Sequence, residues 1–313
     1  MGAEVALVKS ARGSSKALSF ASIVGVAALV SVVCAAPALS VEPIKASKLG
    51  GETPATLGEP ARQAVAVQPV AAPPAAERAD APVPCKVSNE FTRLNHPLTR
   101  TAQKIAEGRP LKIVAIGSSS TAGAGASSPS GSYPSQLAGE LSRMFPENGI
   151  VVLNRGVNGE EAHQMMARFK TQVVDEKPDL VLWQVGANTL LRQQPIEPVK
   201  QLIRAGIAQL KASGADVLLV DSQYAPKIIA NRDSEALVAF MDVVAKETNV
   251  GVFHRYALMR RWVKDEGMSF KAFLSPDEVH MNDWSYGCFA KVLGAAVGDA
   301  VTRPTATARA VSR

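Results

Sequence analysis

Five short apolar runs punctuate the C-terminal two thirds of the chain. Leu111–Gly117 (LKIVAIG) is β-branched, almost continuously apolar and closed by Gly. Ile150–Asn154, Leu180–Val185, Val217–Asp221 and Val250–His254 are also short and mostly apolar. Runs of this length and composition predict buried strands. Between them the apolar spacing takes the helical period over Tyr133–Met144, Glu160–Val174, Val199–Ala212 and Ser234–Thr248. A last helix is expected over Ser285–Ala300. Pro134 falls in a first turn, where its missing N–H is tolerated, and Asp233 or Ser234 supplies an N-cap. Strands alternating with helices predict a parallel sheet covered on both faces. No fixed-period repeat interrupts the pattern.

The pattern upstream is different. Lys9, Arg12 and Lys16 precede the apolar run Ala17–Ala36, and small residues follow at Ala36, Pro37 and Ala38. A basic start, an apolar middle and an A-x-A end predict a secretory signal cut after Ala38. The alternative is an uncleaved anchor, since about 20 apolar residues can span a bilayer; Ser19, Ser22, Gly25 and Ser31 weigh against it. Either reading places the rest outside the cytoplasm, periplasmic or secreted, with membrane contact only through residues 1–38. Residues 39–84 hold eight Pro and eleven Ala and no aromatic residue. Such a stretch cannot offset its ordering entropy by burial, so a disordered tether is expected. The folded domain is expected over 85–313, with a frayed tail.

Composition narrows the function. With 47% apolar residues the chain can build a core, and the net charge of +6 is spread without a block of like charges. Nucleic-acid binding needs a concentrated basic stripe, so none is expected. No cysteine or histidine cluster has metal-ligand spacing, and neither a metal nor a cofactor is predicted. Cys34 belongs to the export segment, which leaves Cys85 and Cys288. In an oxidising compartment these two can pair; the alternative is two buried free thiols.

In open parallel sheets, ligands sit beyond the carboxyl ends of the strands. The first such loop is Ser118-Ser119-Ser120-Thr121-Ala122-Gly123. It lacks the Lys of a phosphate loop, and neither G-x-G-x-x-G nor G-x-S-x-G is present. What remains is serine hydroxyls at the end of a core strand, which an ordinary Ser-rich turn would also provide. Near the C-terminus, Asp277 precedes His280 by three residues. A carboxylate there can accept from one ring nitrogen and leave the other to take a proton from Ser. A surface turn is the plainer alternative for that pair.

Taken together, these residues resemble the SGNH (GDSL-type) hydrolases over about residues 111–300. Ser119, in Gly117-Ser118-Ser119-Ser120-Thr121, matches the family's nucleophile. Gly159, in the segment Asn154 to Gly159, matches its backbone oxyanion donor. Asn188, in Gly186-Ala187-Asn188-Thr189, matches its side-chain donor, and Asp277 and His280 complete a triad. The Ser119 amide would be the third oxyanion donor. Ser118 and Thr189 stand where the family usually has Asp. The resemblance implies a three-layer α/β/α sandwich of flavodoxin-like type around a mostly parallel five-stranded sheet.

It also implies an exported serine esterase cleaving acyl, above all O-acetyl, esters on envelope or extracellular carbohydrate. An O-acyltransferase acting on polysaccharide and a non-catalytic carbohydrate-binding module are the rival readings. Gln223, Tyr224 and Trp284 are candidate substrate contacts, with packing roles as the alternative. His163 stands four residues after Gly159, at the pocket rim or on an exposed helix face. His254 reads as structural, and His96 is assigned nothing.

Overall fold

A computed structural model of the protein describes residues 80–303. The expected export segment 1–38, most of the tether 39–84 and the tail 304–313 lie outside these residues. Among the described residues, no helix is long and apolar enough to cross a membrane.

All five predicted strands form: β1 Leu111–Gly117, β2 Ile150–Gly156, β3 Leu180–Gln184, β4 Asp216–Val220 and β5 Gly251–Phe253. They pair in parallel in the order β2-β1-β3-β4-β5. Every carboxyl end therefore lies along one rim of the sheet. β1 is flanked on both sides and is buried except at Lys112, whereas β2, at the edge, leaves Val151 exposed. That difference follows from position: an inner strand of a covered parallel sheet meets apolar neighbours on both faces.

The chain steps one way from β1 to β2 and the other way thereafter. With right-handed crossovers, the connecting helices fall on opposite faces. Tyr133–Met144 packs on the C-terminal helix Asp283–Thr302, while Ile196–Ala212 lies between Ala162–Ala167 and Ser234–Thr248. The result is the α/β/α sandwich.

Two predicted helices form with the expected bounds, Tyr133–Met144 and Ser234–Thr248. The helix expected over Glu160–Val174 does not form as one. A capping box between Glu161 and Gln164 starts it at Ala162, and it stops at Ala167. A second turn, Phe169–Gln172, and a 3-10 turn, Val174–Glu176, follow. The interruption falls on Arg168 (φ −109°, ψ 5°), whose side chain is drawn into the molecule. Helix Arg255–Lys264, not anticipated, buries Arg255, Tyr256, Leu258, Met259 and Trp262.

The start of the domain is tied to its end. Cys85 and Cys288 form a disulfide, with Cα atoms 5.4 Å apart. Phe91, Leu94 and Leu98 join the main core, and Arg261 Nη1 donates to Ser88 Oγ at 2.7 Å. Val83, from the last residues of the expected tether, also packs on that core.

Candidate active site

The loop after β1 turns at Ser118 into a single helical turn, Ser119–Ala122. Three serines compete there for the nucleophile's place, and their partners separate them. Ser118 is buried, with its N–H and Oγ both donating to Gln184 Oε1, at 2.9 and 3.0 Å. Ser120 is buried as well. Ser119 alone meets the histidine: its Oγ lies 2.7 Å from His280 Nε2.

The other ring nitrogen, His280 Nδ1, lies 2.5 Å from Asp277 Oδ2. With Asp277 ionised, Nδ1 carries the proton and Nε2 is left to accept from Ser119. Asp277 Oδ1 accepts from the backbone N–H of Val279 (3.0 Å) and of His280 (2.9 Å) and from Ser275 Oγ (2.8 Å). Burial alone would raise this carboxyl. The hydrogen bonds from the His280 ring, the His280 and Val279 amides and Ser275 outweigh it and hold Asp277 well below the usual carboxylate range. Lys227 Nζ donates to the Asp277 carbonyl at 2.9 Å. Gly125 seats this loop: a Cβ there would lie 2.4 Å from the Met281 carbonyl oxygen and 2.9 Å from His280 Cβ.

Gly159 has φ +76°, and a Cβ there would approach nothing closer than Arg192 Nη2 at 3.5 Å. The left-handed backbone, rather than crowding, is what calls for Gly. Among the described residues, neither the Ser119 nor the Gly159 N–H donates to another protein group. Asn188 is buried on the helical turn Ala187–Leu191, and its Nδ2 gives one hydrogen to the Glu160 carbonyl at 2.7 Å. The second hydrogen has no partner among the described residues. Loops after β1, β2 and β3 thus bring the three predicted oxyanion donors to the same rim of the sheet.

The candidate substrate contacts fare differently. Gln223 is buried; its Oε1 accepts from Arg255 Nη2 at 3.0 Å and its Nε2 faces the Val279 carbonyl at 3.4 Å. Tyr224 is buried in an aromatic group with Tyr256 and Phe270. Trp284 is half-buried against Trp262, ring centroids 5.0 Å apart. All three are engaged in packing, the alternative weighed for them. His163 borders a cavity of about 280 Å³ with Glu161, Thr189 and Leu202. His254 lies 3.8 Å from Asp221 and 3.3 Å from Asp242.

Several residues that shape the site carry no motif. Arg255 is fully buried and donates to the Asp221 carbonyl through Nε and Nη2. Arg168 binds Glu160, the residue after Gly159. The sequence singles out neither, and only the folded contacts distinguish them. Among the described residues, no group of three or more His, Cys, Asp or Glu side chains could hold a metal ion.

A parallel five-stranded sheet with serine, histidine and aspartate meeting at its carboxyl rim is the architecture of an SGNH hydrolase. The chain belongs to the non-GDSL lipase-like family, whose model matches residues 84–303. It is 33% identical over 69 residues to an acetylxylan esterase of Geobacillus stearothermophilus, covering 22% of this chain and 32% of that one. It is 27% identical over 121 residues to thioesterase 1/protease 1/lysophospholipase L1 of Escherichia coli strain K12, covering 37% of this chain and 58% of the relative. An arylesterase of Vibrio mimicus matches at 26% over 149 residues, 46% of this chain and 73% of the relative. The chain thus spans under two thirds of the length of the first two.

Solved structures share the fold. A two-domain esterase active on acetylated mannans superposes with a TM-score of 0.58 at 19% identity, covering 69% of this chain and 57% of that one. TesA superposes at 0.52 and 20% identity, covering 60% and 99%.

Proposed function

We propose that the protein is an exported serine esterase that removes acyl groups, O-acetyl above all, from carbohydrate. The observation that carries this reading is the Ser119–His280–Asp277 relay, with contacts of 2.7 and 2.5 Å. Relatives named as acetylxylan esterase and arylesterase support ester hydrolysis. The acetylated-mannan esterase supports the carbohydrate substrate through its fold alone. Export rests on the sequence of residues 1–38.

In this mechanism Ser119 Oγ attacks the ester carbonyl carbon while its proton passes to His280 Nε2. Asp277 holds the Nδ1 proton and stabilises the imidazolium. The tetrahedral oxyanion takes hydrogen bonds from the Ser119 and Gly159 amides and the free Asn188 Nδ2 hydrogen. His280 then gives its proton to the leaving sugar hydroxyl, and the C–O bond breaks. Water, deprotonated by His280, releases acetate from Ser119.

The test is acetate release from acetylated xylo- and manno-oligosaccharides, beside 4-nitrophenyl acetate as a substrate without sugar. Turnover of both, lost in Ser119→Ala, is expected. Turnover of the nitrophenyl ester alone would overturn the carbohydrate assignment. Acyl transfer to an added acceptor sugar in preference to water would overturn hydrolysis.

A further inference from the structure

Three consecutive residues, Gly159, Glu160 and Glu161, are each held by a different contact. The Gly159 carbonyl accepts from Arg192 Nη2 at 2.7 Å, and Glu161 pairs with Arg192 Nη1. The Glu160 carbonyl accepts from Asn188 Nδ2. The Glu160 carboxylate takes Arg168 Nε through both oxygens, at 3.0 and 2.8 Å, and Arg168 Nη2 at 2.6 Å. Arg168 also spans the ends of two strands: Nη2 reaches the Arg155 carbonyl at 2.6 Å and the Gly117 carbonyl at 3.4 Å, and Nη1 reaches Gln172 Oε1 at 2.6 Å. Gly117 is two residues before Ser119.

These contacts make one chain of positions. Arg168 fixes Glu160 to the ends of β1 and β2. The Glu160 carbonyl accepts from the Asn188 amide, and Glu160 directly follows Gly159 in the chain. Burial sharpens the point. The Arg168 and Glu160 side chains are 12% and 13% exposed, so removing either leaves a charge in a poorly solvated place. Arg192 is 46% exposed, and exposed pairs contribute little.

We propose that Arg168 and Glu160 are positioning residues for the oxyanion hole, holding Gly159 and Asn188 where developing negative charge is met. This rests on the esterase reading of the site. The pair touches no reacting atom. Its effect belongs to the transition state and passes through Asn188 and Gly159.

The experiment compares wild-type protein with Arg168→Met, Arg168→Lys, Glu160→Gln, Asn188→Ala and the double variant Arg168→Met/Asn188→Ala. Steady-state kinetics use 4-nitrophenyl acetate, and thermal melts report folding. The expected result is a fall of about 10²-fold in kcat for Arg168→Met and Glu160→Gln, the scale of one oxyanion donor, with KM changed less than threefold. Arg168→Lys, which keeps the charge and loses the fork, recovers part of the rate. The double variant loses less than the product of the two single losses, because Asn188 is one of the two donors the pair holds.

Absence of wild-type turnover would overturn the esterase reading itself. Wild-type turnover with unchanged kcat in folded Arg168→Met and Glu160→Gln would overturn the positioning role, as would additive losses in the double variant. Loss of the fold in Arg168→Met, Arg168→Lys and Glu160→Gln together would make the pair a folding element and overturn it as well.

Discussion

Two halves of the site are built by different means. On one side, Ser275, Asp277, Val279 and His280 hold one another within six residues, and Asp277 Oδ1 alone collects three hydrogen bonds. On the other, the proposed oxyanion side joins Asn188 to Glu160, 28 positions apart, and Arg168 to Gly117, 51 apart. On the base side, every hydrogen bond to Asp277 Oδ1 comes from its own loop. The oxyanion side depends on the sheet being assembled. Damage on the base side should therefore be chemical and local, whereas damage on the oxyanion side should travel through packing.

The sharpest separation comes from the reacting groups. Ser119→Ala or His280→Ala should lower kcat on the order of 10⁵-fold, with melting unchanged, in steady-state assays paired with thermal melts. Asp277→Asn should cost about 10³ to 10⁴-fold, because the amide no longer fixes the imidazole tautomer. Asn188→Ala should cost about 10² to 10³-fold in kcat with little change in KM. An Asn188→Ala loss larger than that of Asp277→Asn would reverse the ranking of the two halves.

Stability should divide along another line. Replacing both Cys85 and Cys288 with Ser opens a closure of 203 residues and should cost up to about 5 kcal/mol on the chain-entropy model. Calorimetry should show the drop, while kcat of the folded protein stays near wild type, since the bridge lies outside both halves. The smallest effect concerns His254. Asp221, against burial, and then Asp242 raise its imidazole above the ordinary value. A raised histidine contributes stability that is fully present below the unfolded value and is lost as pH rises through the folded one. Denaturant titrations of His254→Asn should lack that slope near neutral pH.

The same contrast explains what could be read from the chain alone. The strands were legible because a buried parallel sheet writes itself as continuous apolar runs, LVLWQ in β3 being the plainest. The Asp277–His280 spacing was legible because its contacts are local. Residue types and order also pointed to Ser119, but the partners of Ser118 were needed to separate it from its neighbours. Arg168 was not legible. A helical pattern runs through it, and nothing nearby signals that its side chain turns inward to Glu160 and two strand ends. Gln223 and Tyr224 follow β4, where a cleft is expected, and Arg255 and an aromatic group bury them. Ser118, where the family usually has Asp, has a local logic. Gln184 presents a carbonyl oxygen there, which a hydroxyl can satisfy and a carboxylate would oppose.

Ser119, 2.7 Å from His280 Nε2, is the proposed nucleophile, with His280 as its base. Its most direct measurement is peptide-level mass spectrometry after labelling with a fluorophosphonate, which forms a phosphorus–oxygen bond to an activated serine and releases fluoride. A single adduct on Ser119 is expected in the wild-type protein, absent from Ser119→Ala and from folded His280→Ala. An adduct on Ser118 or Ser120, or undiminished labelling of Ser119 in His280→Ala, would contradict it.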